Sequence, residues 1–437
     1  MFLENWFSKN RMAASRLDSY YLATAIGQRA RPSLHGARQA DVCVIGAGYT
    51  GLSTALHLAK AGLQVAVLEA EYAGFGASGR NGGQVITGQR VDQMELERRH
   101  GAAHARCLWD SALEAKTLVR ALIAAHAIEC DVRPGCLTAA ATPAHAKGLE
   151  VEAAHLARNY AYAAARYVDK KDMPRLVATE AYHADLLDST AFHLHPLNYA
   201  LGLARACDEA GVSIFENSRA SRINRGARIT VVARNGEVTA LHGVIACDGY
   251  LNGLEPELAR RIATIQNHQI ATAPLGDERA HALIPSGAAV ADTKFVLDYY
   301  RLSADGRLIF GGGETYHALD VAGVPRLVRK HILRVFPQLK DVAIDHAWSG
   351  TVAVTRPRLP HIGRLAPNLY FAQGYSGQGV AIATLAGKLI AETIAGQTSR
   401  VDVYERLKIP PLPGGVWLQA PLAALGMLWY GLRDRLG

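Results

Sequence analysis

An α/β fold of two interleaved domains is what the 437-residue sequence predicts, and three observations carry the prediction. A short apolar run, Val42 to Ile45, leads directly into Gly46-Ala47-Gly48-Tyr49-Thr50-Gly51. Such a run is what a strand buried on both faces of a parallel sheet requires. A second unit of the same kind closes the chain, where Leu369 to Ala372 precedes Gly374-Tyr375-Ser376-Gly377-Gln378-Gly379-Val380 and a helix to about Ile394. Between them lie strand signals with hairpin turns, which belong to antiparallel sheet.

In the first unit each glycine has a separate duty. Gly46 permits the tight turn, Gly48 lets the backbone approach a pyrophosphate, and Gly51 lets the following helix pack closely on its strand with its positive N-terminus toward the phosphates. The helical segment Leu52 to Gly62 and a second apolar strand, Gln64 to Leu68, follow, ending in Glu69. An acid roughly 20 residues past the glycines is placed to hold a ribose diol, and no arginine beside it argues for a phosphorylated ribose. The unit is therefore a dinucleotide site. Beyond it, Gly74 to Gln84 reads GFGASGRNGGQ, too rich in glycine for a helix or strand interior. This loop is expected to lie against the cofactor, with Arg80, Asn81 and Gln84 supplying polar groups for phosphate and ring.

From about 92 to 127, Leu108, Ala112, Ala115, Leu118 and Leu122 recur at helical spacing. Asp131 to Ala140 reads as a strand and 143 to 167 as an alanine-rich helical region. Pro196 suits the first position of a helix that stops at Gly211. Strands follow through VSIFEN, ARITVVARNGEVTA and LHGVIACDGY, with a hairpin signal at Asn235-Gly236. Ile262 to Pro274 and Val296 to Gly311 read as longer antiparallel strands, the second interrupted by the turn SADG.

A net charge of +8 and a pI near 9.1 come from scattered Lys and Arg, with no basic block and no aromatic interleaving, which excludes a nucleic-acid partner. The six cysteines, at 43, 107, 130, 136, 207 and 247, show no CxxC spacing and read as reduced thiols, neither disulfides nor zinc ligands. His193 and His195 lack the carboxylates of a metal site. Charges at Glu4, Lys9, Arg11 and Arg16 break any signal-peptide core, so a cytoplasmic location is the expectation. The apolar tail Val416 to Leu432 is interrupted by Gln419, Pro421 and Gly426; docking on the protein itself or on a subunit partner is favoured over membrane contact.

Four stretches, DVCVIGAGYTG, GFGASGRNGGQ, VIACDGY and GYSGQGV, together resemble FAD-dependent oxidoreductases of the D-amino-acid oxidase superfamily. Within it, LDYYRLSADGRLIFGGGE, FPQLK, PHIGRL, YFAQGYSGQGV, PPLPGG and YGLRDRLG most resemble the bacterial gamma-glutamylputrescine oxidoreductases. The resemblance implies a glutathione-reductase-type flavin fold: a Rossmann-like FAD-binding domain (38–127, 193–262 and 346–397) interleaved with an α+β substrate domain built on an antiparallel sheet (128–192 and 263–345). Residues 1–37 are a lead-in and 398–437 a tail.

Carried onto this chain, the resemblance implies FAD contacts from Gly46, Ala47, Gly48, Tyr49, Thr50 and Gly51 at the pyrophosphate, and from Glu69 and Ala70 at the ribose. Ala77, Ser78, Gly79, Arg80, Asn81, Gly82, Gly83 and Gln84 would touch phosphate, ribityl or ring, and Ala220 and Cys247 would lie near the nucleoside. Gly374, Tyr375, Gly377, Gln378, Gly379 and Val380 would lie beneath the pyrimidine end of the flavin. There a helix N-terminus faces the ring edge where negative charge accumulates on reduction. Sarcosine oxidases of the superfamily bind flavin through a cysteine in the region that here reads Gly311-Gly312-Gly313, so noncovalent FAD is expected.

The activity implied is oxidation of a terminal amine, gamma-glutamylputrescine foremost, to an aldehyde with release of ammonia. Oxygen, giving hydrogen peroxide, or another acceptor takes the electrons. A small amino acid (D-amino acid, glycine or sarcosine) is the alternative substrate, and a binding subunit of a membrane-linked electron-transfer complex the alternative of another class. Positioning and desolvation are the main demands of the chemistry. Tyr300 is favoured as an aromatic wall, against sheet packing for both Tyr299 and Tyr300. Arg301 is either the anchor of a substrate carboxylate or a structural ion pair, Trp348 either a pocket residue or core. His268 and His361 are candidate proton relays against plain structural histidines.

Overall fold

The computed structural model describes residues 19–315, 319, 323–397 and 400–413. The lead-in before residue 19 and the apolar tail Val416 to Leu432 lie outside the described residues. Among the described residues no helix is long and apolar enough to cross a membrane.

Among the described residues the first sheet has eight strands. Five run parallel in the spatial order Leu369–Gln373, Gly236–Ile245, Gly36–Ile45, Val65–Leu68, Ser213–Phe215. His361–Ala366 adds an antiparallel edge, and the hairpin Ala220–Asn224 and Ile229–Ala233 branches from Gly236–Ile245. Val42, Cys43 and Val44 are fully buried, because helices cover one face of this sheet and the hairpin layer the other. Ile45 is in register with Leu68 on one side and Ile245 on the other, so the carboxyl ends of three strands meet at one edge. Ligands of open α/β sheets bind at such an edge.

Two helices spring from it, Tyr49–Lys60 and Gly379–Ile394. They cross in tight contact at Gly387, where a Cβ would stand 2.5 Å from the Thr50 carbonyl oxygen and 2.7 Å from Ser53 Cβ. Ser53 Oγ donates to the Thr384 carbonyl at 2.6 Å across the same contact.

Among the described residues the second sheet has nine strands, in the order Ile344–Thr355, Ile262–Thr272, Leu308–Thr315, Tyr299–Leu302, Ala289–Asp292, Arg133–Ala139, Ala184–His193, Gln84–Val85, with Ala165–Asp169 paired to Ala184–His193. All its pairings are antiparallel except that of Ala289–Asp292 with Arg133–Ala139. The helix Gly323–Val335 buries Val324, Val328, Ile332 and Val335 behind it. The sheets divide the chain at slightly different places from the boundaries drawn on sequence. Ile344–Thr355 pairs along its length with Ile262–Thr272 in the second sheet, and so does not join the flavin-side sheet at 346.

Three local expectations are corrected. The helical stretch near 92 to 127 is two helices, Gln93–His100 and Ala102–Ala125, broken where Gly101 takes φ 81°. The region 143 to 167 is a helix only to Tyr160; Ala161 turns left-handed and Ala165–Asp169 is a strand. The hairpin near 235 exists, but Gly236 already pairs with Ala233, and its glycine is required by strand packing: a Cβ there would lie 2.3 Å from the Gly36 carbonyl oxygen.

Candidate active site

Between the strand ends of the first sheet and the face of the second lies a cavity of about 1320 Å³. Its floor is the first glycine turn. Gly46 sits at φ 104°, where a Cβ would come within 2.6 Å of the Ala246 carbonyl oxygen, and at Gly51 a Cβ would meet the Gly46 carbonyl at 1.9 Å. At Gly48 the obstacle would be Ser78 Oγ, 2.8 Å away, the same oxygen that accepts from the Tyr49 N–H at 2.9 Å. The turn thus leaves backbone and a helix N-terminus, not side chains, facing the cavity, the surface an anionic diphosphate needs.

Glu69, at the end of the second strand, accepts from the Ala47 N–H at 2.7 Å and the Glu71 N–H at 3.0 Å. Burial pulls its carboxyl upward against these donors. Ala70, Ala220 and Cys247 line the same end.

The glycine-dense loop is ordered by its own contacts. A Cβ at Gly79 would lie 2.3 Å from the Gly74 oxygen, and one at Gly83, φ 76°, would lie 2.0 Å from the Leu194 oxygen. Asn81 donates to the Ala77 and Ser78 carbonyls (2.9 and 3.0 Å) and accepts from the Gly83 N–H at 2.8 Å. Arg80 Nε donates to Phe75 O at 2.7 Å and Nη1 to Ser349 O at 3.2 Å, while Gln84 donates to Val290 O at 3.0 Å. These polar groups, expected on sequence to reach phosphate and ring, are engaged in shaping the loop, although all three residues border the cavity.

At the second glycine turn Gly374, φ 73°, donates its N–H to Asp248 Oδ1 at 2.7 Å. Asp248 is half-buried, and desolvation pushes its carboxyl up to about 6. Tyr375 shares a 2.6 Å hydrogen bond with Thr50 Oγ1, joining the two turns, and Gln378 donates to Gly88 O at 2.9 Å. Gly377, Gln378, Gly379 and Val380 line the cavity. Ala47, Gly51, Gly79, Gly83 and Gly374 are not on its wall; they hold the backbone that is.

The three residues expected on sequence to carry chemistry do not reach the cavity. Tyr300 is 1% exposed, stacked on Phe310 at 5.2 Å between ring centres, on the far face of its strand. Arg301 is equally buried and gives its guanidinium to Gly82 O (2.9 Å), Leu302 O (3.2 Å) and Tyr21 OH (3.4 Å). Trp348 donates to Arg80 O at 3.2 Å and packs edge-on against Tyr21. Strand alternation offered two faces, and Tyr299 occupies the one that meets the cavity. Its ring blocks any Cβ at Gly82 or Gly311, and its hydroxyl donates to Asn267. His268 is fully buried between Ser349 and Thr315, and His361 borders a separate, smaller cavity, so neither is placed as a relay. His193 Nε2 donates to Gly287 O and His195 caps the Pro196–Glu209 helix; burial, with Arg301 nearby, pushes both down to about 3. Among the described residues no group of His, Cys, Asp or Glu is placed to hold a metal ion.

Several cavity residues had no sequence signal strong enough to find them: Asn267, Gln269, Glu314, Arg90, Arg358 and Phe295. They come from single strand or turn positions scattered over the chain; Asn267, Gln269 and Glu314, like Tyr299, lay within stretches already singled out, but nothing local marked the individual residues.

A parallel sheet with glycine turns at two strand ends, a carboxylate after the second strand and a second sheet roofing a large cavity define a dinucleotide-binding flavoprotein. Residues 41–393 match the family model of FAD dependent oxidoreductases (DAO). The chain belongs to this family of FAD-dependent oxidoreductases. It is 42% identical to the gamma-glutamylputrescine oxidoreductase of Escherichia coli K12 over 420 residues, 96% of this chain and 98% of that protein. It is 37% identical to a probable oxidoreductase, OrdL, of Rhizobium meliloti, over 95% and 97% of the two chains. Among solved structures, glycine oxidase from Geobacillus kaustophilus has the same fold with a TM-score of 0.70 at 19% identity, covering 83% of this chain and 96% of that one.

Proposed function

We propose that the protein oxidises the terminal amine of gamma-glutamylputrescine or a near analogue to an aldehyde with release of ammonia, using noncovalent FAD and passing the electrons to oxygen or another acceptor. The observation that carries this reading is the 42% identity, over nearly the full length of both chains, to a gamma-glutamylputrescine oxidoreductase.

FAD fits the residues present. Gly46, Gly48, Thr50 and Ser78 would hold its diphosphate, Glu69 and Ala220 its adenosine, and the turn from Gly374 to Val380 its ring. Noncovalent attachment is supported by glycine at 311, 312 and 313 and by the state of Cys247, the one cysteine bordering the cavity among the described residues. Burial pushes that thiol up to about 12, far from the thiolate a covalent bond would need.

When bound, FAD supplies a hydride acceptor for the carbon that bears the amine. The chain's part is to present that carbon with the amine neutral. Tyr299, Phe295, Ile265, Leu297 and Val352 make an apolar wall that disfavours the ammonium form. The Tyr299 hydroxyl, held by Asn267, fixes the ring as a rigid face for the alkyl chain. The resulting imine hydrolyses as water re-enters. Arg301, held on backbone acceptors, does not serve as the anchor of a substrate carboxylate such as the glutamyl end.

Anaerobic mixing of the yellow protein with gamma-glutamylputrescine, putrescine, glycine, sarcosine and D-alanine tests the reading. Loss of visible flavin absorbance with gamma-glutamylputrescine in preference to the others is expected; bleaching by an amino acid alone overturns it.

A further inference from the structure

We infer that Glu314 receives the ammonium of the substrate beside the Tyr299 wall and takes its proton before oxidation. The inference rests on the amine-oxidising reading above and names the residue that meets the reacting nitrogen.

The strand Leu308–Thr315 carries three glycines in a row, Gly311, Gly312 and Gly313, and then Glu314. Strict alternation would put Gly311 and Gly313 on one face and Gly312 and Glu314 on the other. The contacts are different. A Cβ at Gly311 would run into the Tyr299 ring, so this position looks toward the cavity. A Cβ at Gly312 would lie 2.6 Å from Asp298 Oδ1, and one at Gly313 2.8 Å from Leu327, on the helix behind the sheet. Two successive residues therefore look away from the cavity. The pairing with Ile262–Thr272 records the same slip: Gln269 stands opposite Gly311, but Asn267 stands opposite Glu314. The extra residue is a bulge, with Gly313 at φ 74°, and it returns Glu314 to the face that lines the cavity. Bulges that re-aim a side chain in this way recur beside active sites.

Glu314 arrives next to the apolar wall. Asn267, its cross-strand neighbour, takes the Tyr299 hydroxyl hydrogen bond, and Ile265 and Gln269 line the cavity on either side of Asn267. An aromatic face with a carboxylate at its edge is the surface a primary ammonium uses. The charged groups facing Glu314 are Arg358 and Arg90, which favour its ionised form; burial outweighs them and holds its carboxyl above the ordinary range. Tyr299, pushed well above its usual value, stays neutral. The same dry surroundings lower an ammonium, so donor and acceptor come closer in pKa and the proton moves at less cost. In the step, the substrate ammonium becomes the neutral amine and the Glu314 carboxylate becomes the acid. The lone pair this frees is what departure of hydride to the flavin requires, and the proton passes on to water when the site opens.

The test follows kcat/KM from about pH 6 to about pH 10 in the wild type, E314Q and E314D, with whichever amine bleaches the flavin, and with bound FAD measured for each. At pH 7 E314Q is expected to lose at least about a hundredfold, the weight of a positioned base, with FAD content unchanged. Its rate should then climb about tenfold per pH unit toward the amine's own pKa near 10.4, because only amine already neutral in solution can react. E314D should recover part of the loss. A loss that is the same at every pH, or loss of FAD, overturns the assignment. A second measurement needs no turnover. Tert-butylamine has no hydrogen on its amine-bearing carbon, and at pH 8 the wild type is expected to bind it at least about tenfold more tightly than tert-butanol, by calorimetry, with E314Q erasing the preference. Equal affinities in the wild type sink the inference. If no amine bleaches the flavin yet the preference is present and E314Q erases it, the ammonium site stands and the proposed activity falls.

Discussion

Arg301 Nε donates to the Gly82 carbonyl oxygen at 2.9 Å, tying the second sheet to the glycine loop that borders the cavity. An arginine that reads on sequence as a substrate anchor thus serves as a strut for the loop. R301M leaves the Gly82 and Leu302 carbonyls without this donor inside the core, and should cost about 2–4 kcal/mol of stability and lower the FAD retained per chain. R301K keeps the charge but not the fork and should be nearly as defective. Thermal unfolding and flavin content check this; a variant with normal melting and normal FAD but a raised KM would return Arg301 to the substrate.

Tyr299 and Tyr300 are neighbours with opposite duties. Y299F removes the hydroxyl that Asn267 holds and Y299A the whole aromatic face, so kcat/KM for the amine should fall about tenfold and about a hundredfold or more, respectively. Y300F, on the Phe310 side, should leave turnover within about twofold. Steady-state kinetics on the three variants decides, and a reversed order would restore the sequence-based assignment.

The glycine turns make a sharper contrast. G51A places a methyl 1.9 Å from the Gly46 oxygen, against backbone that cannot move without opening the turn, and should yield protein that binds no FAD. G377A adds a methyl with nothing within 4 Å, so only its φ of 89° resists, at about 1–2 kcal/mol. That variant should remain folded and yellow. Visible absorbance after purification reads both.

Asp185 is fully buried and neither carboxylate oxygen has a hydrogen-bond partner among the described residues. Burial pushes its carboxyl from 3.8 up to about 7. A raised carboxyl favours the folded state only while protonated. Stability from this group is therefore present below about pH 4 and is lost as pH rises toward 7, by up to about 4 kcal/mol. D185N should melt above the wild type at pH 8, with the gap closing at pH 4. Melting curves at the two pH values test the sign, and a constant offset would rule out titration as the cause.

The motifs built from adjacent residues were legible in the sequence, although the helix ends at Gly101 and Ala161 were not. The strand from Val42 to Ile45, the turn at Gly46 to Gly51, Glu69 and the helix from Gly379 all stand where local pattern put them, because a βαβ turn is built from adjacent residues whose glycines have no substitute. The family, and with it FAD, follows from that turn and three others like it. The cavity wall at Tyr299 was legible only as a choice between two strand faces. What decided it was the stacking of Tyr300 on Phe310, a partner on the adjacent strand, and the space left for Tyr299 by glycine at 82 and 311. Arg90 and Arg358 carried no local signal at all. Lone arginines in turns are ordinary in a sequence, and these two come to one cavity only when the two sheets close on it, because sequence records distance along the chain and not distance in space.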